Sequence, residues 1–251
     1  MQTSIDLNAD VGEECGGDEA LLPLVTSCNI ACGAHAGDAA TMRRTVELAL
    51  GHGVRIGAHP GYADRANFGR VTVPLEPDAI ADLVGSQIAA LARIAGECGA
   101  VLRHVKPHGA LYNLAARDEL VADAIARSVA AFDRGLILVA LADSVLVAAG
   151  KAHGLPVARE AFVDRAYHAD GTLRPRHLPG AVHSDPARAI SQALALAAGQ
   201  PFAAYDGAML RRQADTLCIH GDTPQALEFA RALRAALREA GIALAGTNLQ
   251  R

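Results

Sequence analysis

Ile5-Asp6-Leu7-Asn8-Ala9-Asp10 alternates apolar side chains with acids and an amide. Read as a β-strand, the stretch puts Ile5, Leu7 and Ala9 on one face and Asp6, Asn8 and Asp10 on the other. Burying three polar side chains on one face costs free energy unless each finds a partner. A strand patterned this way belongs beside a polar cavity, and other strands must bring partners to it. Asp10, at the C-terminal end, is the better candidate for chemistry. Asp6 lies about 13 Å earlier at ~3.3 Å per residue and reads as a deeper, structural member of the polar network.

Outward from that strand, apolar runs alternate with helical periodicities. Further strands are expected at 28–32, 54–59, 101–105, 136–141, 157–163 and 215–220. Helices are expected at 21–25, 39–52, 77–97, 118–132, 144–153 and 225–240, with one more following Ser184-Asp185-Pro186. Pro77 and Pro224 suit first helical positions, and the apolar run 136–141 suits a strand buried on both faces. If the fourth strand stays extended through Pro107, then Leu102, His104, Lys106 and His108 share one face.

Strand–helix alternation implies a mostly parallel sheet. Polar residues cluster just past the C-terminal ends of six strands, at Asp10–Glu13, His35–Asp38, His59, Lys106–His108, Asp164–Arg165 and His220–Asp222. A closed β/α barrel and an open doubly wound sheet both place active sites at those ends. Six contributing ends favour a closed or nearly closed ring.

The chain of 251 residues has no Pro/Ser/Gly-rich linker, so one domain covering 1–251 is expected. Apolar residues make up 51%, enough for a large core, yet aromatics are only 4% and Trp is absent, so Ala, Leu and Val must fill it. The net charge of −4 comes without blocks of one sign, which gives no support for nucleic-acid or membrane-surface binding. Five cysteines without a CxxC pair read as reduced, mostly core thiols of a cytoplasmic protein. Asp6 and Asp10 argue against a basic-then-apolar leader. The longest apolar region, Leu136 to Ala149, is interrupted by Asp143 and Ser144 and is too short to span a bilayer.

No GxxxxGK[ST], GxGxxG, GxSxG or HExxH pattern occurs, so the usual nucleotide, serine-hydrolase and zincin signatures are missing. The positive signal is the set of His and Asp residues at strand ends. Asp10, His59 and His108 are candidate ligands for a divalent metal, being a carboxylate and two imidazoles on three strands. The same groups serve acid–base chemistry without a metal. A cavity-facing Lys106 suits an anion or developing oxyanion. Arg70, Arg165 and Arg176 suit carboxylate recognition, while Glu160 and Asp164 suit structural pairing with nearby arginines.

Seven motifs now stand in one order: Asp6-Leu7-Asn8-Ala9-Asp10-Val11-Gly12-Glu13, Asn29-Ile30-Ala31-Cys32-Gly33-Ala34-His35-Ala36-Gly37-Asp38, Gly57-Ala58-His59-Pro60, Asn67-Phe68-Gly69-Arg70, His104-Val105-Lys106-Pro107-His108-Gly109-Ala110-Leu111-Tyr112-Asn113, Glu160-Ala161-Phe162-Val163-Asp164-Arg165 and Ile219-His220-Gly221-Asp222-Thr223-Pro224. In them the chain resembles the LamB/YcsF family, which provides the A component of the bacterial three-component 5-oxoprolinase. Ala9, Val11, Glu14-Cys15 and Ala34 depart from the family's usual residues but leave its acids and imidazoles in place.

The resemblance implies a distorted β/α barrel of about seven parallel strands, similar to glycoside hydrolase/deacetylase barrels. It implies ATP-dependent opening of 5-oxo-L-proline to L-glutamate, with ATP bound by the partners, 5-oxoprolinase subunits B and C. On this reading Asp10 or His108 activates water, directly or through a metal, and Lys106 and His35 stabilise the oxyanion or phosphate. Arg70 or Arg165 holds the substrate carboxylate. Asn8, Glu13, Asn29, Tyr112, His220 and Asp222 complete the expected substrate contacts. The same barrel accommodates two alternatives, a stand-alone metal-dependent deacetylase or amidohydrolase and a binding component without catalysis.

Overall fold

The computed structural model describes residues 4–219 and 226–246. Its elements run β1 (Ser4–Val11), α1 (Asp18–Leu21), β2 (Ser27–Ala31), α2 (Ala39–Gly51), β3 (Arg55–His59), α3 (Pro77–Glu97), β4 (His104–Val105), α4 (Gly109–Ala115), α5 (Glu119–Phe132), β5 (Ile137–Leu141), α6 (Val145–Ala152), β6 (Val157–Phe162), α7 (Pro186–Ala197), β7 (Pro201–Ala203), β8 (Met209–Arg211), β9 (Thr216–Ile219), α8 (Ala226–Glu239) and β10 (Ala243–Leu244). Seven strands pair in parallel in the order β1-β2-β3-β4-β5-β6-β9, and β9 pairs back onto β1, which closes the barrel. β10 adds in parallel beside the start of β1.

The opening strand sits as its alternation requires. Ile5, Leu7 and Ala9 are fully buried under the helical layer, while Asp6 and Asn8 are buried inside the ring. The helices supply the outer apolar contacts. α3 presents Ile80, Val84, Ile88, Leu91 and Ile94 at helical spacing and buries them against α5 and the barrel wall. Each such side chain contributes roughly 1.5–3 kcal/mol on leaving water, so Leu91→Ala costs about 2–5 kcal/mol. α3 is also long and apolar enough to cross a membrane by composition, but its apolar stripe is committed to this packing.

Local signals account for most boundaries. Asp38 accepts from Thr41 N at 2.7 Å and starts α2, and Asp118 accepts from Leu120 N and Val121 N and starts α5. Besides β10 and the earlier start of α1, three features differ from the sequence expectation. The fourth strand shrinks from 101–105 to two residues. α4 follows immediately after His108, where the sequence pattern predicts no helix. A small antiparallel hairpin, β7–β8, stands beside the barrel. The short strand suffices because His104 and Val105 already pair on both sides, and the chain must turn at Pro107 to bring His108 inward.

Candidate active site

The floor of the barrel interior is a closed hydrogen-bond lattice. Asp6 accepts from Thr26 Oγ1 (2.7 Å), Ser27 Oγ (2.8 Å) and Thr216 Oγ1. Asn8 donates to Thr216 Oγ1 (2.7 Å) and Glu160 Oε1 (3.0 Å), and its carbonyl oxygen accepts from Asn29 Nδ2 (2.8 Å). His104 Nε2 donates to Asn29 Oδ1 at 2.8 Å. This contact depends on Gly57, which pairs with both Asn29 and His104: a Cβ there would fall 2.1 Å from His104 Nε2. Burial holds His104 neutral, with its pKa pushed down to about 3.

Above this lattice lies Lys106, 2% exposed. Its ammonium donates to Asp10 Oδ1 (2.9 Å), Glu160 Oε1 (2.8 Å) and Cys218 Sγ (3.2 Å). Burial alone would lower its pKa, but the charge of Asp10, with Cys218 and Glu160 behind it, holds it well above the usual value. An ammonium has three donors, and these contacts use all three. Lys106 therefore orients Asp10: with Asn29 Nδ2 (2.8 Å) it occupies Asp10 Oδ1, while Oδ2 lies 3.4 Å from His59 Nε2.

Glu13, His35, His59 and His108 form the next layer, with one potential ligand atom from each within 4.8 Å of the others. Glu13 Oε1 lies 3.2 Å from His108 Nδ1, 3.3 Å from His35 Nε2 and 3.7 Å from His59 Nε2. His35 stacks on His108, centroids 3.8 Å apart and planes 2° from parallel. Gly61 and Gly69 leave room for that stack. A Cβ at Gly69, whose φ is +61°, would meet His35 Cβ at 2.9 Å and His108 Cδ2 at 3.0 Å. Phe68 itself adopts φ 55°, a costly conformation for an aromatic residue. Its carbonyl oxygen lies 2.8 Å from His108 Nε2.

Two ring tautomers follow from these contacts. A carbonyl oxygen only accepts, so His108 carries its proton on Nε2, facing Phe68 O. His59 likewise carries its proton on Nδ1, 2.8 Å from Lys106 O. The remaining atoms, His59 Nε2 and His108 Nδ1, stand 2.9 Å apart. With both rings neutral, two lone pairs would face each other beside two carboxylates. The position calls for a proton or a cation. Burial lowers the His59 pKa, but Asp10's charge and hydrogen bond more than offset it, so His59 is the ring that takes the proton. For His108 burial prevails and the pKa falls. Burial likewise pushes the His35 pKa down to about 4. Burial raises Glu13, but its contacts with His108 and His35 outweigh burial and hold its carboxyl well below the usual range.

A cavity of about 660 Å³ opens onto this layer. Asp10, Glu13, His59, Lys106 and His108 line it from the barrel interior, together with Tyr112 and Phe162, and Arg70, Arg165 and Arg176 line it as well. The expected site residues thus divide. Asp10, Glu13, His59, Arg70, Lys106, His108, Tyr112 and Arg165 reach the cavity. Asn8 and Asn29 do not: both are buried in the lattice, their amides committed to Glu160, Thr216, Asp10 and His104. His35, 1% exposed, sits behind His108 and off the cavity wall. The expected metal trio of Asp10, His59 and His108 differs from the tightest grouping, in which Glu13 and His35 join the two histidines and Asp10 stands beside them. His220 and Asp222 lie outside the described residues. Glu160, expected to pair with an arginine, pairs instead with Lys106. The sequence does carry its signal: an acid inside an apolar strand, as in β1.

The LamB/YcsF family model matches residues 5–250. The A component of 5-oxoprolinase from Chloroflexus aggregans is 54% identical over 244 residues, covering 95% of this chain and 97% of that one. The crystal structure of a lactam utilization protein from Thermus thermophilus superposes with a TM-score of 0.90 at 44% identity, over 97% of this chain and 99% of that one. A T48 deacetylase with substrate shares the fold alone, with a TM-score of 0.51 at 14% identity over 97% and 88% of the two chains.

Proposed function

Since the chain belongs to the LamB/YcsF family, we propose that it is the ring-opening subunit of an ATP-dependent 5-oxoprolinase, working in the cytoplasm with subunits B and C. The observation that carries this reading is the carboxylate–imidazole layer of Asp10, Glu13, His59 and His108, which lines an open cavity. Such a layer can take a proton from water and return it to a leaving nitrogen.

The chemistry explains the division of labour. A five-membered lactam is a stable amide, and no nucleotide signature occurs in this sequence. The partners phosphorylate the carbonyl oxygen, using ATP, which makes C5 electrophilic. In this barrel, Asp10 Oδ2 or the Glu13–His108 pair removes a proton from water as it adds to C5. The C5–N1 bond breaks and the ring nitrogen leaves as the amine, taking up a proton from the same layer. The product is an acyl phosphate, and a second water releases phosphate from it to leave L-glutamate. Lys106 holds Asp10 ionised and aimed.

The donor set also fits a divalent metal. Carbonyl contacts on their other ring nitrogens leave His59 Nε2 and His108 Nδ1 as the atoms at which a metal would take the place of the shared proton, the arrangement that orients metal-bound histidines. Glu13 supplies a carboxylate beside them. His35 fits less well, since its Nδ1 finds no partner among the described residues. A bound metal would polarise the reacting water or carbonyl oxygen.

Glutamate release from 5-oxoproline and ATP tests the reading, measured for this protein alone, for the partners alone and for the full mixture. Release only in the full mixture is expected. ATP-independent deacetylation by this chain alone would overturn the proposal. Elemental analysis and the melting-temperature shift on adding Zn²⁺, Mn²⁺ or Mg²⁺ report the metal separately.

A further inference from the structure

The chain passes from β6 to α7 through residues 163–185 with no helix or strand between them, only two isolated bridges, Arg165 to Val182 and Tyr167 to Leu173. A connection of that length is uncommon in a compact domain and usually belongs to binding or capping. It leaves from the C-terminal end of a barrel strand, the end at which barrels carry their sites. His168, Thr172, Leu173, Pro175, Arg176 and His177 from this segment line the cavity.

Arg165, at the base of the segment, lines the cavity too and is 5% exposed. Its Nε donates to Ala181 O (3.3 Å) and its Nη2 to Arg174 O (2.6 Å), so one guanidinium ties the outgoing run to the returning run. The backbone follows the same course: Ala166 N donates to Ala181 O (2.9 Å), Arg174 N to Ala166 O (2.9 Å) and His183 N to Asp164 O (2.8 Å). From α7, Gln192 Nε2 donates to Phe162 O and Arg165 O, both at 2.9 Å. A second fastening stands further along. The Arg174 guanidinium lies 3.7 Å from the centroid of the Tyr205 ring, and Tyr205 N donates to Tyr167 O at 2.8 Å.

Nε and Nη2 make the side-on edge with which a guanidinium grips a carboxylate through two parallel bonds. In this barrel two backbone carbonyls take that edge. Carbonyls in an irregular segment lack a ladder to satisfy them, and a planar, rigid fork suits the task of holding two at once. Burial pushes the Arg165 pKa down to about 10, which leaves it charged at neutral pH. The resemblance offered Arg165 as a holder of the substrate carboxylate; its donors are spent on the chain instead.

We propose that Arg165 is a positioning residue that fastens residues 166–183 as a fixed wall of the cavity, and that the fastened wall, not this guanidinium, fits the substrate. The identity of the substrate rests on the ring-opening reading; the fastening does not.

Hydrogen–deuterium exchange of the full-length protein, followed by mass spectrometry, tests the fastening. In R165M, peptides covering 166–183 are expected to exchange roughly tenfold faster, with the peptides of β1 to β5 unchanged. In the complete enzyme the KM for 5-oxoproline should rise about fivefold while kcat stays within about twofold. R165K, whose ammonium can still donate to a carbonyl, should recover part of both changes. Y205A, which removes the second fastening and keeps the Arg165 guanidinium, should move exchange and KM in the same direction, and it replaces R165M if that variant loosens the barrel strands as well. A raised KM in R165M with parental exchange overturns the proposal and returns Arg165 to the substrate carboxylate. Faster exchange with a parental KM overturns the part given to the wall. Absence of glutamate formation by the full mixture with the parental protein would count against the ring-opening reading, while the exchange result would still decide the fastening.

Discussion

The barrel interior holds two polar layers built from the same kinds of residue. In the lower one, Asp6, Asn8, Asn29, His104 and Thr216 satisfy one another, donor facing acceptor. In the upper one, His59 Nε2 and His108 Nδ1 face each other beside Glu13 and Asp10 with one proton to share between them. A saturated layer has nothing left to offer a substrate and serves as a foundation. A layer short of protons holds basicity in reserve, and it is the one that meets the cavity. Polarity and burial do not separate the two layers; hydrogen-bond sums do.

The largest expected break in that contrast is Asp10→Asn. It keeps the shape of the side chain and removes the charge that steadies both Lys106 and His59. Glutamate formation by the complete enzyme should fall on the order of 10³-fold, with a melting temperature close to that of the parent; parental turnover would reassign the base. In the lower layer, Gly57→Ala drives a Cβ into the His104 ring. The ring must leave Asn29, and chemical denaturation should show a loss of about 3 kcal/mol.

Acid sharpens the contrast from the same residue. The folded His104 has a pKa of about 3, below the ordinary ~6.5 of the unfolded chain. Its contribution is fully present above pH 6.5. As pH falls, the unfolded state takes up a proton that the folded state refuses, and stability is lost until about pH 3. Between pH 7 and pH 5 that share is about 2 kcal/mol. Urea melts of the parent and of His104→Gln should differ in pH slope by that amount; equal slopes would show that His104 is not the group responsible.

Glu160→Gln weakens the clamp on Lys106 without emptying space. Turnover should drop about tenfold at an unchanged KM, the mark of a positioning residue, and Glu160→Asp should recover part of it. The smallest effect belongs to neither layer. Asp185 caps α7 by accepting from Ala187 N at 2.9 Å, so Asp185→Ala should cost about 1 kcal/mol and leave turnover untouched.

Much of this was legible in the order of residues. The alternation in Ile5–Asp10 determined which face of β1 looks inward, because a strand's period of two admits no other assignment. The recurrence of polar residues after apolar runs determined that strand ends carry the site, and Asp38, Asp118 and Pro77 determined where helices start. Tertiary structure decided the rest. The rank of Asn8 and Asn29 as foundation depends on partners 19 to 208 positions away, and no local pattern encodes such a pairing. The commitment of Lys106 to two carboxylates and a thiol, its partners 54 to 112 positions away, emerges only when β1, β6 and β9 close around it. The facing nitrogens of His59 and His108 required ring orientations, and those are set by two backbone carbonyls, Lys106 O and Phe68 O. A sequence names the titratable groups; which of them are left wanting a proton is a property of closed geometry, where every donor can be matched to an acceptor.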